Sequence, residues 1–192
     1  TQSRSSAASD VYKRQGATLG AIFRSAAFYS GKVMHHEIKG PVQWLIQTTK
    51  MLEIPLPDQK VLENAMAALG QVIFAPPNVK GWDGGRSWIS SSSLLYRYNF
   101  ASYLLSGKAR VLGGGGSKTA QIPLDRIAPT EIREDSKKLL DRLVFRVFNS
   151  PIPGKETKNY EEYLAKHGTP ASDSTIRDLM QIMMSTPAFQ LV

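Results

Sequence analysis

The chain has 192 residues, 42% hydrophobic and 21% charged, a balance typical of one folded globular domain rather than a disordered chain. It contains no cysteine, which excludes disulfides, thiol catalysis and cysteine-ligated metal sites, and no apolar run approaches the roughly 20 residues of a membrane-spanning helix. The net charge of +8 is spread along the chain without a basic cluster or recognition motif, so nucleic-acid binding is not predicted.

The first segment, residues 1–15, reads TQSRSSAASDVYKRQ and lacks the apolar core of a signal peptide. It resembles translated sequencing-adapter sequence, so we predict a non-native or disordered tail. Native sequence is then expected to begin near Gly16, and the natural protein to continue upstream.

From there on, apolar residues recur at helical spacing, and no segment alternates for long with the period of a strand. Residues 16–107 are predicted to form a helical core. Pro41 suits the first turn of a helix, Asp58 suits an N-cap, and Gly107 suits a helix C-terminus. The predicted helices of this part are 17–28, 41–53, 58–73 and 90–107.

The second half begins with residues 108–128, which contain GGGGS and are predicted to be a flexible, glycine-rich linker. Residues 129–192 are predicted to be a C-terminal helical part of the same domain, with helices at 130–148, 159–167 and 174–184. The predicted fold is therefore all-α, an irregular bundle of about six or seven helices with one long loop rich in glycine and tryptophan.

That loop, residues 75–90, contains the densest set of residues suited to ligand contact. Glycines alternate in it with charged and aromatic side chains, and loops held by a scaffold often carry function. The candidate ligand-binding residues in and beside it are Asn78, Lys80, Trp82, Asp83, Arg86, Trp88 and Arg97.

Three interpretations of the loop stay open. Trp82 or Trp88 could stack on a carbohydrate or other polar ligand while Asn78, Asp83 and Arg86 bind its hydroxyls or carboxylates. Alternatively, the start of the helix that follows could bind an anion together with Arg86. In the third interpretation, the tryptophans fill the core and the polar side chains only cap turns.

Other chemistry finds little support in the sequence. The loop lacks the spacings of nucleotide-binding and calcium-binding loops, so no cofactor is predicted. Ser90–Ser93 lie outside a nucleophile motif and are better explained as helix caps. The adjacent His35 and His36 have no third ligand at a suitable spacing, and no metal site is predicted.

The block PPNVKGWDGGRSWISSSSLLYRYNFA, preceded by LGQVIF, resembles the C-terminal part of the bacterial protein family called domain of unknown function 1800. Gly70, Gln71 and Phe74 match the end of a family helix, and Arg97, Asn99 and Phe100 match an Arg-x-Asn-Phe motif. The ending STPAFQLV is similar as well. The resemblance covers about Gly16 to Val192 and carries no established catalytic residue.

The resemblance implies a C-terminal fragment of a larger, mostly helical bacterial protein. Members often bear export signals and are encoded beside sulfatase-like proteins, so an extracytoplasmic location, periplasmic or secreted, is expected. We therefore predict a binding or assembly module at the cell envelope, with an envelope protein, a polysaccharide or a sulfatase-like protein as partner. The alternative is a hydrolase-like enzyme that uses Lys80, Asp83 and Arg86 with groups from the missing part.

Overall fold

A computed structural model describes residues 15–31, 33, 35–113, 116–152 and 154–192, and within residues 112–117 no side chain is described. The chain divides into two compact units, residues 1–37 and residues 38–192. In the described part of the first unit, residues 15–24 form helix α1 and turns follow up to residue 31. Phe28 lies edge-to-face against Phe23 at 5.1 Å and against Tyr29 at 5.2 Å between ring centroids.

The second unit is built from helices, which confirms the predicted all-α fold class. Its described helices are α2 (Pro41–Met51), α3 (Gln59–Leu69), α4 (Ser91–Leu105), α5 (Leu124–Ile127), α6 (Thr130–Arg133), α7 (Ser136–Phe148), α8 (Gly154–His167) and α9 (Asp173–Met184). Two single 3-10 turns, Gly85–Trp88 and Pro187–Gln190, complete the helical structure.

One apolar core lies between these helices, with Trp44 of α2 wholly buried inside it. The Trp44 ring centroid lies 6.1 Å from that of Phe100 and 6.4 Å from that of Phe189, so α2 and α4 meet the end of the chain there. Helix α9 is one of the most deeply buried elements, because its apolar residues repeat every three or four positions and face inward. These inward residues are Ile176, Leu179, Met180, Met183 and Met184.

The structure corrects the prediction that residues 108–128 form a flexible linker. Arg110–Gly113 (β1) and Gly116–Thr119 (β2) form an antiparallel hairpin, and α5 follows within the same segment. Ala109 and Val111 are buried while Arg110 between them is exposed, which is the alternation of a half-buried strand. Val111 also forms a bridge with Pro57, so the segment packs onto the core instead of spanning it loosely.

The segment predicted to be one helix, residues 130–148, forms two helices in the structure. Helix α6 ends at Arg133, and Asp135 then begins α7 by accepting hydrogen bonds from the backbone N–H groups of Lys137 (3.0 Å) and Lys138 (3.1 Å). These hydrogen bonds to the charged carboxylate hold the pKa of Asp135 below its ordinary value. An aspartate that satisfies two free N–H groups marks a helix start within the apolar pattern.

Candidate functional site

The candidate site is the connection between α3 and α4, residues 70–90, called here the aromatic loop. It begins where Gly70 ends α3 in a left-handed conformation (φ 84°), three residues before the predicted helix end at Ile73. Ile73 itself is 45% exposed. The loop is therefore longer than the sequence indicated and begins with exposed apolar residues.

Both ends of the aromatic loop are fixed to the core. Near its start, the side-chain oxygen of Gln71 accepts a hydrogen bond of 3.0 Å from the backbone N–H of Val42. Near its end, Trp88 reaches the same place, since a Cβ added at Gly40 would lie 3.6 Å from Trp88 Nε1. The two ends therefore meet at the N-terminus of α2, and the residues between them project from a fixed base.

The start of α4 locks the second end further. Ser90 and Ser93 form a reciprocal capping box, in which each hydroxyl accepts from the other residue's backbone N–H at 3.1 Å and 2.8 Å. Ser93 Oγ also donates to the carbonyl of Trp88 at 3.0 Å. The prediction that these serines cap a helix is confirmed, and their hydroxyls are engaged in backbone structure.

The middle of the loop is a set of tight turns. Asn78 Oδ1 accepts from the backbone N–H of Lys80 at 2.9 Å, and the Asn78 carbonyl accepts from that of Gly81 at 3.1 Å. Gly81 (φ 90°) and Gly84 (φ 75°) have positive φ angles, which side chains disfavour, although a Cβ at either position would meet nothing within 4 Å. The glycines thus serve the backbone path and leave the space above them open.

The charged residues of the loop lie in solvent. Lys80 Nζ pairs with Asp83 Oδ1 at 2.9 Å, with 77% and 71% of the two side chains exposed, and Arg86 is exposed as well. An ion pair in water contributes little to stability and largely cancels the charge of both partners. The structure thus brings Asn78, Lys80 and Asp83 together, but on the surface.

The aromatic and apolar side chains of the loop differ in their exposure. Trp82 and Trp88 are half-buried, so they neither fill the core nor present a fully exposed ring face. Phe74 is 98% exposed and Val79 is fully exposed, and neither is among the candidate ligand-binding residues predicted from the sequence. Phe74 also has a positive φ of 65°, an uncommon and costly conformation for a large side chain. The exposure of Phe74 and Val79 could not be predicted from the spacing of apolar residues, because the loop has no regular period.

Arg97, the remaining candidate, does not join the loop. Its side chain is 0% exposed and donates to the carbonyl of Lys39 at 2.8 Å and to Gln190 Oε1 at 3.1 Å. Its guanidinium carbon lies 5.6 Å from the centroid of the Trp44 ring. Burial lowers the pKa of Arg97 to about 10. Arg97 therefore connects α4, within the core, to the segment before α2 and to the last residues of the chain.

Lys39 makes this a cluster of two buried cations. Its Nζ donates to the carbonyl of Phe189 at 2.7 Å and lies 4.4 Å from the centroid of the Phe189 ring. Burial, and then the charge of Arg97, lower the pKa of Lys39 to about 8. Carbonyl dipoles and ring faces stabilise both charges here. Sequence reasoning missed Lys39, because nothing around it in the chain marks it as buried.

Two further observations concern the described residues. They contain no group of three histidine, aspartate or glutamate side chains that could hold a metal ion. No described helix is long and apolar enough to cross a membrane.

These features define the class of the protein: it is an all-α protein with an exposed aromatic loop whose two ends are fixed to the core. The chain belongs to the family described as Protein of unknown function (DUF1800), whose model matches residues 8–191. Comparison with curated proteins finds no match. Comparison with solved structures finds none either.

Proposed function

We propose that this chain is a binding or assembly module and that the aromatic loop is its contact surface for a partner protein. The observation that carries the proposal is the position of Phe74, 98% exposed and with a positive φ angle, within a loop whose ends are fixed. Large apolar side chains held in water by a rigid base are typical of protein contacts. A backbone conformation that costs energy is also commoner at functional positions.

A protein partner with an apolar cleft fits the loop better than a polysaccharide does. Sugar stacking needs a free, flat aromatic face, whereas Trp82 and Trp88 are half-buried and Trp88 is held against Gly40. The most exposed apolar side chains are Phe74 and Val79, and valine has no ring for stacking. Such side chains gain most by entering an apolar pocket.

The hydrolase-like alternative has less support. Its residues Lys80 and Asp83 are exposed and pair with each other in water, where charges interact weakly. Location at the cell envelope, outside the cytoplasm, is part of our proposal and rests on the family resemblance alone. The same resemblance supplies a candidate partner, a sulfatase-like protein.

The proposal is tested by measuring binding of a purified sulfatase-like protein, encoded beside the gene, to the full chain. We expect Phe74→Ser and Val79→Ser each to weaken binding by about tenfold, the usual effect of removing an apolar anchor. Leu95→Ser is the matched control, because Leu95 is an exposed apolar residue on α4 outside the loop. Equal binding by all four proteins would overturn the loop as the contact surface, and no binding by any would overturn this partner.

A polysaccharide partner would give a different result. Binding of a soluble envelope polysaccharide that quenches tryptophan fluorescence, and that is lost in Trp82→Ala but kept in Phe74→Ser, would replace the proposal by the carbohydrate interpretation.

A further inference from the structure

The second unit has a groove between α2 and α7, and no described residue that lines it belongs to the aromatic loop. Its volume is about 590 Å³, and its walls are one stripe of α2 and one stripe of α7. The residues that matter below are Ile46, Lys50, Met51, Arg142, Phe145 and Arg146, and the other three lining residues carry side-chain amides. Within each wall the lining positions recur after three and four residues, so each helix presents about two turns to the groove.

Part of the groove is lined by apolar side chains. Phe145 is 63% exposed on the solvent side of α7, opposite the stripe that includes the buried Leu143 and Val147. Ile46 faces it half-buried from α2, and Met51 is buried at the end of the same wall. An exposed phenylalanine beside a half-buried aliphatic residue leaves apolar area in water that a partner side chain would cover.

The charged part of the groove is one-sided. Lys50 on one wall and Arg142 on the other have no carboxylate partner among the described residues, although Arg142 Nε donates to the carbonyl of Ile127 at 3.4 Å. Arg146 pairs with Glu53, but Glu53 is shared with Arg126 at 2.8 Å. No described residue that lines the groove is acidic. The groove therefore has an excess of positive charge.

The groove is also held in shape. Arg146 Nε donates to the carbonyl of Met51 at 2.9 Å, and its guanidinium pairs with Glu53 just beyond α2. These contacts join the last turn of α7 to the end of α2 and fix that end of the groove. A groove of fixed shape binds a segment at a lower entropic cost than one that must open.

From the two helical walls, the apolar side chains on them and the cations without a carboxylate partner, we infer that this groove binds an acidic amphipathic helix of a partner protein. Its apolar residues cover Phe145 and Ile46, and its carboxylates face Lys50 and Arg142. This is the helix-in-groove mode, with charge complementarity setting the specificity. The site is distinct from the aromatic loop, and the inference does not rest on the function proposed above.

The probe is a labelled peptide of about 14 residues, roughly 21 Å long as a helix, with leucines at helical spacing flanked by glutamates. Its binding to the full chain is measured by fluorescence anisotropy. We expect saturable binding that weakens by about tenfold in Phe145→Ser and by roughly threefold in each of Lys50→Glu and Arg142→Glu. Raising the salt concentration weakens it as well.

Two control peptides and two control variants separate this from non-specific attraction. A peptide with lysine in place of glutamate and a scrambled acidic peptide are expected not to bind. Arg86→Glu changes an exposed cation in the aromatic loop, and Leu95→Ser changes an exposed apolar residue of α4, so both are expected to bind like the unchanged chain.

Three results would overturn the inference. One is equal binding of the acidic peptide by the unchanged chain and by the Phe145→Ser and Lys50→Glu variants, whose folding is checked by circular dichroism. A second is equal binding of the lysine peptide. The third is a dimer of the chain, found by sedimentation and lost in Phe145→Ser, which would assign the groove to a second copy.

Discussion

The guanidinium of Arg97 donates a 2.8 Å hydrogen bond to the backbone carbonyl of Lys39, the residue whose own cation is buried beside it. The two residues are 58 positions apart in the chain. The contact joins the middle of α4 to the segment that enters α2. Two cations in one apolar region make stability in the second unit depend on hydrogen bonds to backbone oxygens.

We predict that Arg97→Ala lowers the free energy of unfolding by about 3 kcal/mol, because it leaves buried acceptors without their donor and creates a cavity beside Trp44. Arg86→Ala, which removes an exposed arginine of the aromatic loop, is expected to change it by less than about 0.5 kcal/mol. Urea denaturation followed by tryptophan fluorescence measures both. A loss below about 1 kcal/mol for Arg97→Ala would argue against its place in the interior.

The lowered pKa of Lys39 predicts how the free energy of unfolding depends on pH. Its pKa is about 8 in the folded chain against 10.5 ordinarily, so between these values the unfolded chain binds the proton more strongly. Stability therefore rises with pH in this window, by roughly 1–2 kcal/mol between pH 7 and pH 9.5. Burial raises the pKa of Tyr96, Tyr160 and Tyr163, which acts in the opposite direction only near and above pH 10.

The measurement is urea denaturation at several pH values between 7 and 9.5. We expect the rise to disappear in Lys39→Met and to persist in Lys50→Met, which removes an exposed lysine from α2. The comparison uses the slope with pH, so a constant loss from the missing hydrogen bond to Phe189 does not affect it. An unchanged slope in Lys39→Met would show that another group causes the rise.

The helices could be predicted because their signals are local. Apolar spacing located α9 and the inward face of α7, and the serine run located the start of α4. Strands β1 and β2 could not be predicted in this way, because Val111 forms its bridge with Pro57, which lies far back in the chain.

The candidate site could be predicted only in part, for the same reason. The composition of the aromatic loop marked it as special, and its turns follow from Asn78 and the glycines. Which side chains face water depends on how the loop is anchored, through Gln71 to α2. Arg and Lys side chains are rarely buried, so Arg97 and Lys39 are not expected in the core from their residue type, and only the packed chain places them in the interior.

The positive φ of Gly81 gives a third prediction. Gly81→Ala is expected to lower the free energy of unfolding by about 1–2 kcal/mol, because a Cβ strains this backbone conformation even though it would contact nothing. Gly81→Asn should cost less, since asparagine tolerates positive φ better. Gly154→Ala at the start of α8 is the control, and it should be neutral or slightly stabilising. Equal losses for alanine and asparagine at position 81 would point to steric clash instead of backbone strain.

The capping box gives the last prediction. Ser90→Ala is expected to destabilise the chain by about 1 kcal/mol, because the backbone N–H of Ser93 loses its acceptor at the start of α4. Ser93→Ala should cost as much or more, since its hydroxyl accepts from Ser90 and donates to the carbonyl of Trp88. Ser91→Ala is the control, because Ser91 is exposed and takes no part in the box. If binding through the aromatic loop depends on its fixed base, Ser93→Ala also weakens the partner's binding while Ser91→Ala leaves it unchanged. Equal stability of all three variants would mean that the serines do not fix this end of the loop.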